Sequence, residues 1–320
     1  MLTHDSNKHV DLVLEGGGVK NIALLGAVLA LSEAGYTFPR VAGTSGGAII
    51  AAAVAAYQRA GLDLGGLVDA MMEVDNKRFT AYRRRGLIAG PLSGAVDLVR
   101  HGGLHASDYI YEILGPPLEK AGVSTFGHLR IDDDHGTGLP ESRRYSLVVH
   151  VSDLTRRVLV RLPWDYADYG RAADDERVID AVQASMSIPF YFRPVKLRTE
   201  GGAVTWVDGG LLANFPITTF DRIDCLPPRW PTWGVKVSSS PKWSADRSVQ
   251  GPVRMGVRCL QTLTSDWYRS WLAEDGAGRR TIQVDTSGVS STDFNLDERT
   301  RDKLFESGRQ AATAFLERLG

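Results

Sequence analysis

A serine framed by small residues is the first feature of this chain that could do chemistry. Gly43-Thr44-Ser45-Gly46-Gly47 fits the G-x-S-x-G pattern of a serine hydrolase elbow. In that pattern small neighbours permit a strained turn and leave the serine Oγ exposed at a strand end. The same serine stands before an alanine-rich helix and would equally serve as its N-cap. Upstream, Glu15-Gly16-Gly17-Gly18-Val19-Lys20 places three glycines at a strand-to-helix junction. Glycines let the backbone turn tightly and aim several N–H groups at one point, and the helix N-terminus adds partial positive charge. Such a loop suits a phosphate or an oxyanion, and it is also what a plain turn looks like. The dinucleotide fingerprint needs a third glycine where Asn21 stands, and the P-loop pattern is absent. Phosphate binding therefore loses ground. An oxyanion hole keeps it, with the amide of Gly46 joined by those of Gly17 or Gly18.

A serine nucleophile normally leans on a histidine. The seven histidines are His4, His9, His101, His105, His128, His135 and His150, and none lies in the last 170 residues. The α/β-hydrolase order of Ser, then Asp or Glu, then His is not met. His101 and His105 fall in an irregular segment, His128 and His135 near polar loops, and His150 in a strand. Surface or satisfied-core roles suit them better than catalysis. An aspartate offers a substitute. "VDGGLLANFP" places Asp208 at a strand end before Gly209-Gly210, where a carboxylate can be presented to a cleft without crowding. Partial burial would raise its pKa, and it could then take the serine proton directly. Read alone, Asp-Gly is a common turn. The acidic run "DDDHGTG" lacks calcium-loop spacing and reads as a solvated loop, so neither metal nor cofactor is expected.

These residues need a scaffold. Val10 to Leu14 is a short apolar run that stops at the glycines, and residues 20–35 are apolar on nearly all sides, as in a core helix. Arg40 to Ala42 predicts a second strand, and residues 48–61 a second buried helix. Strands followed by glycine turns and buried helices argue for a mainly parallel sheet with helices on its faces. An amphipathic helix is expected from Asp63 to Val74, then a cap or lid over about 76–105. A helix over 107–121 is expected to be interrupted at Pro116-Pro117. A hairpin-like pair follows at 145–153 and 156–162, a helix at Asp174 to Ser185, and strands at 192–197, 203–210, 232–238 and 281–285. Helices near 252–273 and 297–318 close the chain. With no internal repeat and no long linker, one domain is the simpler count.

The bulk numbers narrow the class. The chain has 320 residues, 43% hydrophobic and 23% charged, with a net charge of −1, so no basic excess points to nucleic acid. Cys225 and Cys259 make neither a metal motif nor a disulfide framework, which fits a reducing cytoplasm. The polar N-terminus lacks the pattern of a secretory signal, and the apolar runs are too short to span a bilayer. Any membrane contact should be peripheral.

Taken in order, "EGGGVK", "GTSGG" and "VDGG" resemble the patatin-like phospholipase family. The match continues in "AVQASMSIPFYFRPV" and "GGLLANFPI", residues 181–195 and 209–217. These motifs span residues 11–217, about two thirds of the chain. The resemblance implies a three-layer α/β/α fold with a Ser–Asp dyad, Ser45 as nucleophile and Asp208 as base. It makes Gly16, Gly17 and Gly18 the oxyanion hole, beside the Gly46 amide already expected from the elbow. Lys20 occupies the basic position after the glycines, while Gly43, Gly47, Gly209 and Gly210 shape the turns. Asn21 departs from a position where the family often has glycine.

The implied reaction is metal-free hydrolysis of fatty-acyl esters of phospholipids or lysophospholipids. An acyltransferase using the same dyad, and an effector-gated module holding a phosphate-bearing ligand, remain as alternatives. Two further features stay open in the sequence. The apolar groups Phe79, Leu87, Ile88, Leu92, Val96 and Leu98 beside Arg83-Arg84-Arg85 suit either an anionic lipid surface or a loop folded over the core. Trp164, Tyr166 and Tyr169 either border an acyl site or pack a loop.

Overall fold

Residues 8–74, 78, 102–132, 139–222, 226, 228–237 and 276–319 are described by the computed structural model of this protein. The expected cap, apart from Arg78 and residues 102–105, lies outside them. So do the helix expected near 252–273, both cysteines, His4, His101 and His135.

The first strand, β1 (Asp11–Leu14), is buried at every position, as a strand inside a parallel sheet requires. Its one charged residue, Asp11, is matched by the buried Arg40, whose Nε donates to Oδ1 at 3.0 Å and whose Nη2 donates to Oδ2. The guanidinium also lies 4.7 Å from the Phe220 ring centre. After a short 3-10 turn, α1 (Asn21–Glu33) is buried nearly all round, matching its lack of a polar face. Next come β2 (Val41–Thr44), α2 (Gly46–Arg59), α3 (Gly65–Met72) and β3 (Gly103–His105).

The helix α4 (Ile110–Lys120) runs through Pro116 and Pro117 without the expected interruption. An interior proline costs roughly 3 kcal/mol of helix stability. Against that, Ile113, Leu114, Pro117 and Leu118 are all buried, and α4 packs on α2. Burying each large aliphatic side chain contributes about 1.5–3 kcal/mol, so tertiary packing outweighs the local penalty.

The rest of the chain supplies β4 (Leu147–Asp153), β5 (Val158–Leu162), α5 (Val178–Ser185), β6 (Phe190–Phe192), β7 (Val195–Thr199) and β8 (Gly202–Asp208). It ends with α6 (Gly210–Ala213), β9 (Thr232–Lys236), β10 (Thr281–Gln283) and α7 (Glu298–Glu317). Asp297 N-caps α7, its carboxylate accepting from Thr300 N–H at 2.8 Å.

The main sheet has the order β10-β9-β1-β2-β4-β8-β7, with β5 also pairing β4. From β10 to β4 the strands are parallel, while β8, β7 and β5 run antiparallel to their neighbours. The expected mainly parallel α/β sheet flanked by helices is what the chain forms. Trp164, Tyr166 and Tyr169 are buried, with Tyr166 and Tyr169 against Trp206 and Trp164 against Phe220. Of their two expected roles, they take the packing one. No helix among the described residues is long and apolar enough to cross a membrane.

Candidate active site

Sheet register brings the site together. Thr44 on β2 pairs His150 on β4, and the next residue of β4, Val151, pairs Asp208 on β8. Ser45, one step past Thr44, is therefore level with Asp208 across β4. Strands are spaced about 4.8 Å apart, so two spacings would leave the side chains out of reach if the chain stayed extended. It does not. Ser45 adopts φ 52° and ψ −125°, leaving the strand in a conformation that is costly for a residue with a Cβ. This elbow swings the side chain over β4, and Ser45 Oγ donates to Asp208 Oδ2 at 2.6 Å. Both residues are buried, with relative exposures of 6% and 5%. Ser45 makes no side-chain cap to α2, so its hydroxyl is committed to Asp208 and not to the helix end.

Burial is the largest influence on Asp208. It pushes the carboxyl up to about 6, against the opposing bonds from Ser45 and from Gly210 N–H, which donates to Oδ1 at 2.7 Å. At neutral pH the group is thus an ionised carboxylate, yet basic enough to accept a proton.

The glycine loop meets the elbow at van der Waals limits. A Cβ on Gly46 would fall 2.5 Å from the Gly18 carbonyl oxygen, so the two loops touch only because that side chain is missing. Gly18 itself has φ 55°, and a Cβ there would strike the Ser291 carbonyl oxygen at 2.0 Å. Among the described residues, the amides of Gly17, Gly18 and Gly46 have no backbone acceptor. Gly16 differs from the expectation. Its N–H donates to the Asn214 carbonyl at 2.9 Å, so Gly16 braces the loop and its amide is not available to an oxyanion.

Residues that the sequence reading left without a role hold this arrangement. Asn214 Nδ2 returns a bond to the Gly16 carbonyl at 2.9 Å, completing a two-way clamp. Glu15, fully inside, accepts from Lys236 Nζ at 2.7 Å and Val237 N–H at 2.6 Å, tying the ends of β1 and β9. Thr44 Oγ1 donates to the Ala213 carbonyl at 3.2 Å. Ser185 Oγ accepts Ser45 N–H at 2.9 Å. Ser185 and Asn214 sit inside the segments 181–195 and 209–217 that carried the family resemblance, which was the available signal. Burial holds the Lys20 ammonium below the usual lysine range, with Glu15 opposing.

His150 is fully buried beside the elbow. Its Nδ1 lies 3.2 Å from the Gly43 carbonyl and its Nε2 2.9 Å from the Thr219 hydroxyl. Desolvation pulls its pKa down to about 4. It is a satisfied core group, and it makes no bond to Ser45 or Asp208. Elsewhere, His128 Nδ1 accepts from Thr125 N–H at 3.3 Å, and the His105 ring lies against that of Tyr191. An apolar crevice reaches Ser45, lined by Val19, Ile49, Met186, Ile188, Phe192 and Phe294. A buried serine hydroxyl bonded to a carboxylate, amides without a backbone acceptor and an apolar crevice are the groups that attack on an ester of an apolar acid would need.

Comparison with known proteins gives the chain its relatives. A family model described as patatin-like phospholipase matches residues 12–221. The uncharacterized protein YqhO of Bacillus subtilis is 32% identical over 308 residues, covering 96% of this chain and 98% of the relative. Among solved structures, VipD from Legionella pneumophila superposes with a TM-score of 0.49 at 18% identity, over 97% of this chain and 67% of that one. The type III effector ExoU of Pseudomonas aeruginosa gives 0.49 at 16% identity, and there the chain spans 98% of itself and 53% of the effector.

Proposed function

The chain belongs to the patatin-like phospholipase family, and on that premise we propose that Ser45 and Asp208 form a two-residue catalytic unit that hydrolyses fatty-acyl esters of phospholipids or lysophospholipids. The observation that carries this reading is the 2.6 Å bond from Ser45 Oγ to Asp208 Oδ2. The bond is direct, with no histidine of the described residues between the two groups, and burial raises the carboxylate toward the basicity a proton acceptor needs.

Catalysis runs in two steps. Ser45 Oγ attacks the ester carbonyl carbon while Asp208 takes its proton, and the carbonyl π electrons move to oxygen. The amides of Gly17, Gly18 and Gly46, which have no backbone acceptor among the described residues, are the donors for that developing charge, each contributing about 3 kcal/mol of transition-state stabilisation. Collapse breaks the bond to the alcohol oxygen, which leaves with the proton held by Asp208. Water then attacks the acyl-Ser45 ester, giving its proton to Asp208. The second tetrahedral intermediate releases the fatty acid, and the proton returns to Ser45. The apolar lining beside Ser45 favours an apolar acyl group over a charged one at the reacting end of the substrate.

The test is covalent. Intact-mass analysis after fluorophosphonate treatment should find a single adduct, mapped to Ser45, and Ser45→Ala should lose both adduct and esterase activity. A folded sample that takes no adduct, or a Ser45→Ala protein that hydrolyses as fast as wild type, would refute the reading.

A further inference from the structure

The turn that leaves α5, Ser185-Met186-Ser187-Ile188, faces two ways by alternation. Ser185 Oγ accepts the Ser45 N–H at 2.9 Å and donates to the His150 carbonyl at 2.7 Å. The Ser187 carbonyl accepts the Asp208 N–H at 2.9 Å. Thus Ser185 and Ser187 hold the backbone of the nucleophile and of the base. Between and after them, Met186 and Ile188 line the apolar crevice at Ser45.

The turn is tied together by its own hydrogen bonds. Met186 N–H donates to the Val182 carbonyl at 3.0 Å, Ser187 N–H to Ala184 at 3.1 Å, and Ser187 Oγ to Gln183 at 2.9 Å. Ser185 and Ser187 are fully buried, so no solvent layer absorbs a displacement. Packed interiors are stiff and transmit strain. The crevice as it stands is narrow, about 20 Å³, so an acyl chain entering it would have to displace Met186 and Ile188, each one residue from an atom bonded to Ser45 or Asp208. Ser45 depends on this support, because its backbone is held at a positive φ and its buried N–H has Ser185 as acceptor.

We propose that the Ser185-to-Ile188 turn is a positioning device that couples acyl-chain binding in the crevice to alignment of Ser45 with Asp208, so that chain length is read in kcat more than in KM. Binding energy from the unreactive part of the substrate is converted into orientation at the reacting atoms. The proposal rests on Ser45 and Asp208 being the catalytic pair. Ser185 acts through Ser45 and is a positioning residue.

Steady-state kinetics with p-nitrophenyl esters of short, medium and long straight-chain acids test it, on wild type, Ser45→Ala, Ser185→Ala and the Met186→Ala/Ile188→Ala double variant, each checked for folding by its melting temperature. Wild-type kcat should rise with chain length. Ser185→Ala should lower kcat by about 10- to 100-fold, the scale expected for a small misplacement of reacting groups, with KM within about twofold. The double variant should flatten the chain-length dependence of kcat, bringing the long-chain value toward the short-chain one.

A Ser185→Ala protein with wild-type kcat and only a lower melting temperature would overturn the proposal. So would a wild-type chain-length dependence confined to KM, or a double variant that changes KM alone. If Ser185→Ala does not fold, the wild-type series and the double variant still decide. Full activity in Ser45→Ala would refute the catalytic pair itself, whereas an inactive Ser45→Ala beside an unimpaired Ser185→Ala refutes the coupling alone.

Discussion

Ser45 Oγ stands 2.6 Å from Asp208 Oδ2 although β4 runs between the strands that carry them. The contact spans 163 residues of chain and depends on register as much as on residue type. Val151 opposite Asp208, with Thr44 opposite His150, puts the two residues level. A one-residue slip of either pairing would send the side chains to opposite faces.

The same burial that tunes Asp208 makes it a liability for stability. Its pKa rises from an ordinary 3.8 to about 6, so the fold prefers the protonated form. That preference stabilises the protein fully below about 3.8 and is lost as pH rises through about 6. At pH 8 the ionised group costs about 3 kcal/mol, from the 1.36 kcal/mol carried by each pKa unit. Asp208→Asn should therefore be inactive yet melt higher than wild type at pH 8, with the gain gone near pH 4. Equal melting temperatures at pH 8 would contradict this account.

His150 works in the opposite direction. Its pKa falls from 6.5 to about 4, so the fold prefers the neutral ring. The stability this provides is present above pH 6.5 and is lost as pH falls through about 4. Between those values the two buried groups oppose each other. Denaturant unfolding from pH 4 to 7 should show wild type varying less with pH than Asp208→Asn, in which His150 acts unopposed and acid destabilises more steeply.

If Asp208 is the base, as proposed, its ionised form is the active one. With an uncharged ester substrate, kcat/KM should climb through an apparent pKa of about 6 and level off above it. A flat profile between pH 5 and 7 would remove Asp208 from the role of base.

Asn214 clamps the glycine loop through its side chain as well as its carbonyl. Asn214→Ala keeps the backbone bond to Gly16 and loses the other. We expect kcat to fall about tenfold, less than the roughly 100- to 1,000-fold that outright loss of an oxyanion donor costs, with fluorophosphonate labelling of Ser45 slowed by a similar factor. Unchanged labelling would show that the side-chain bond does not position the loop.

Arg40 and Asp11 offer a control remote from the chemistry. Burial raises the Asp11 pKa even with Arg40 opposing it, the mark of a carboxylate that needs its partner. Arg40→Met should destabilise by about 3–5 kcal/mol, and adding Asp11→Leu should recover most of the loss, because the unpaired buried charge goes with it. Specific activity per folded molecule should not change.

Much of this was readable in the linear chain. The glycine run after an apolar strand, Ser45 between a strand and an all-apolar helix, and Asp208 before two glycines are local signals, because strand ends, tight turns and core helices are set by neighbours in sequence. The lack of any histidine beyond His150 pointed from a triad toward an aspartate. What the chain could not reveal were relations between distant segments. Gly16 was expected to donate to an oxyanion, but the fold spends its amide on Asn214. Pro116 and Pro117 were expected to break a helix that tertiary packing keeps whole. Ser185, Asn214 and Glu15 showed residue types able to bond, and only strand order and register decided to what. Sequence determined which groups were available and where the chain turned. Tertiary structure decided their distances and their burial, and burial is what sets a carboxylate's basicity.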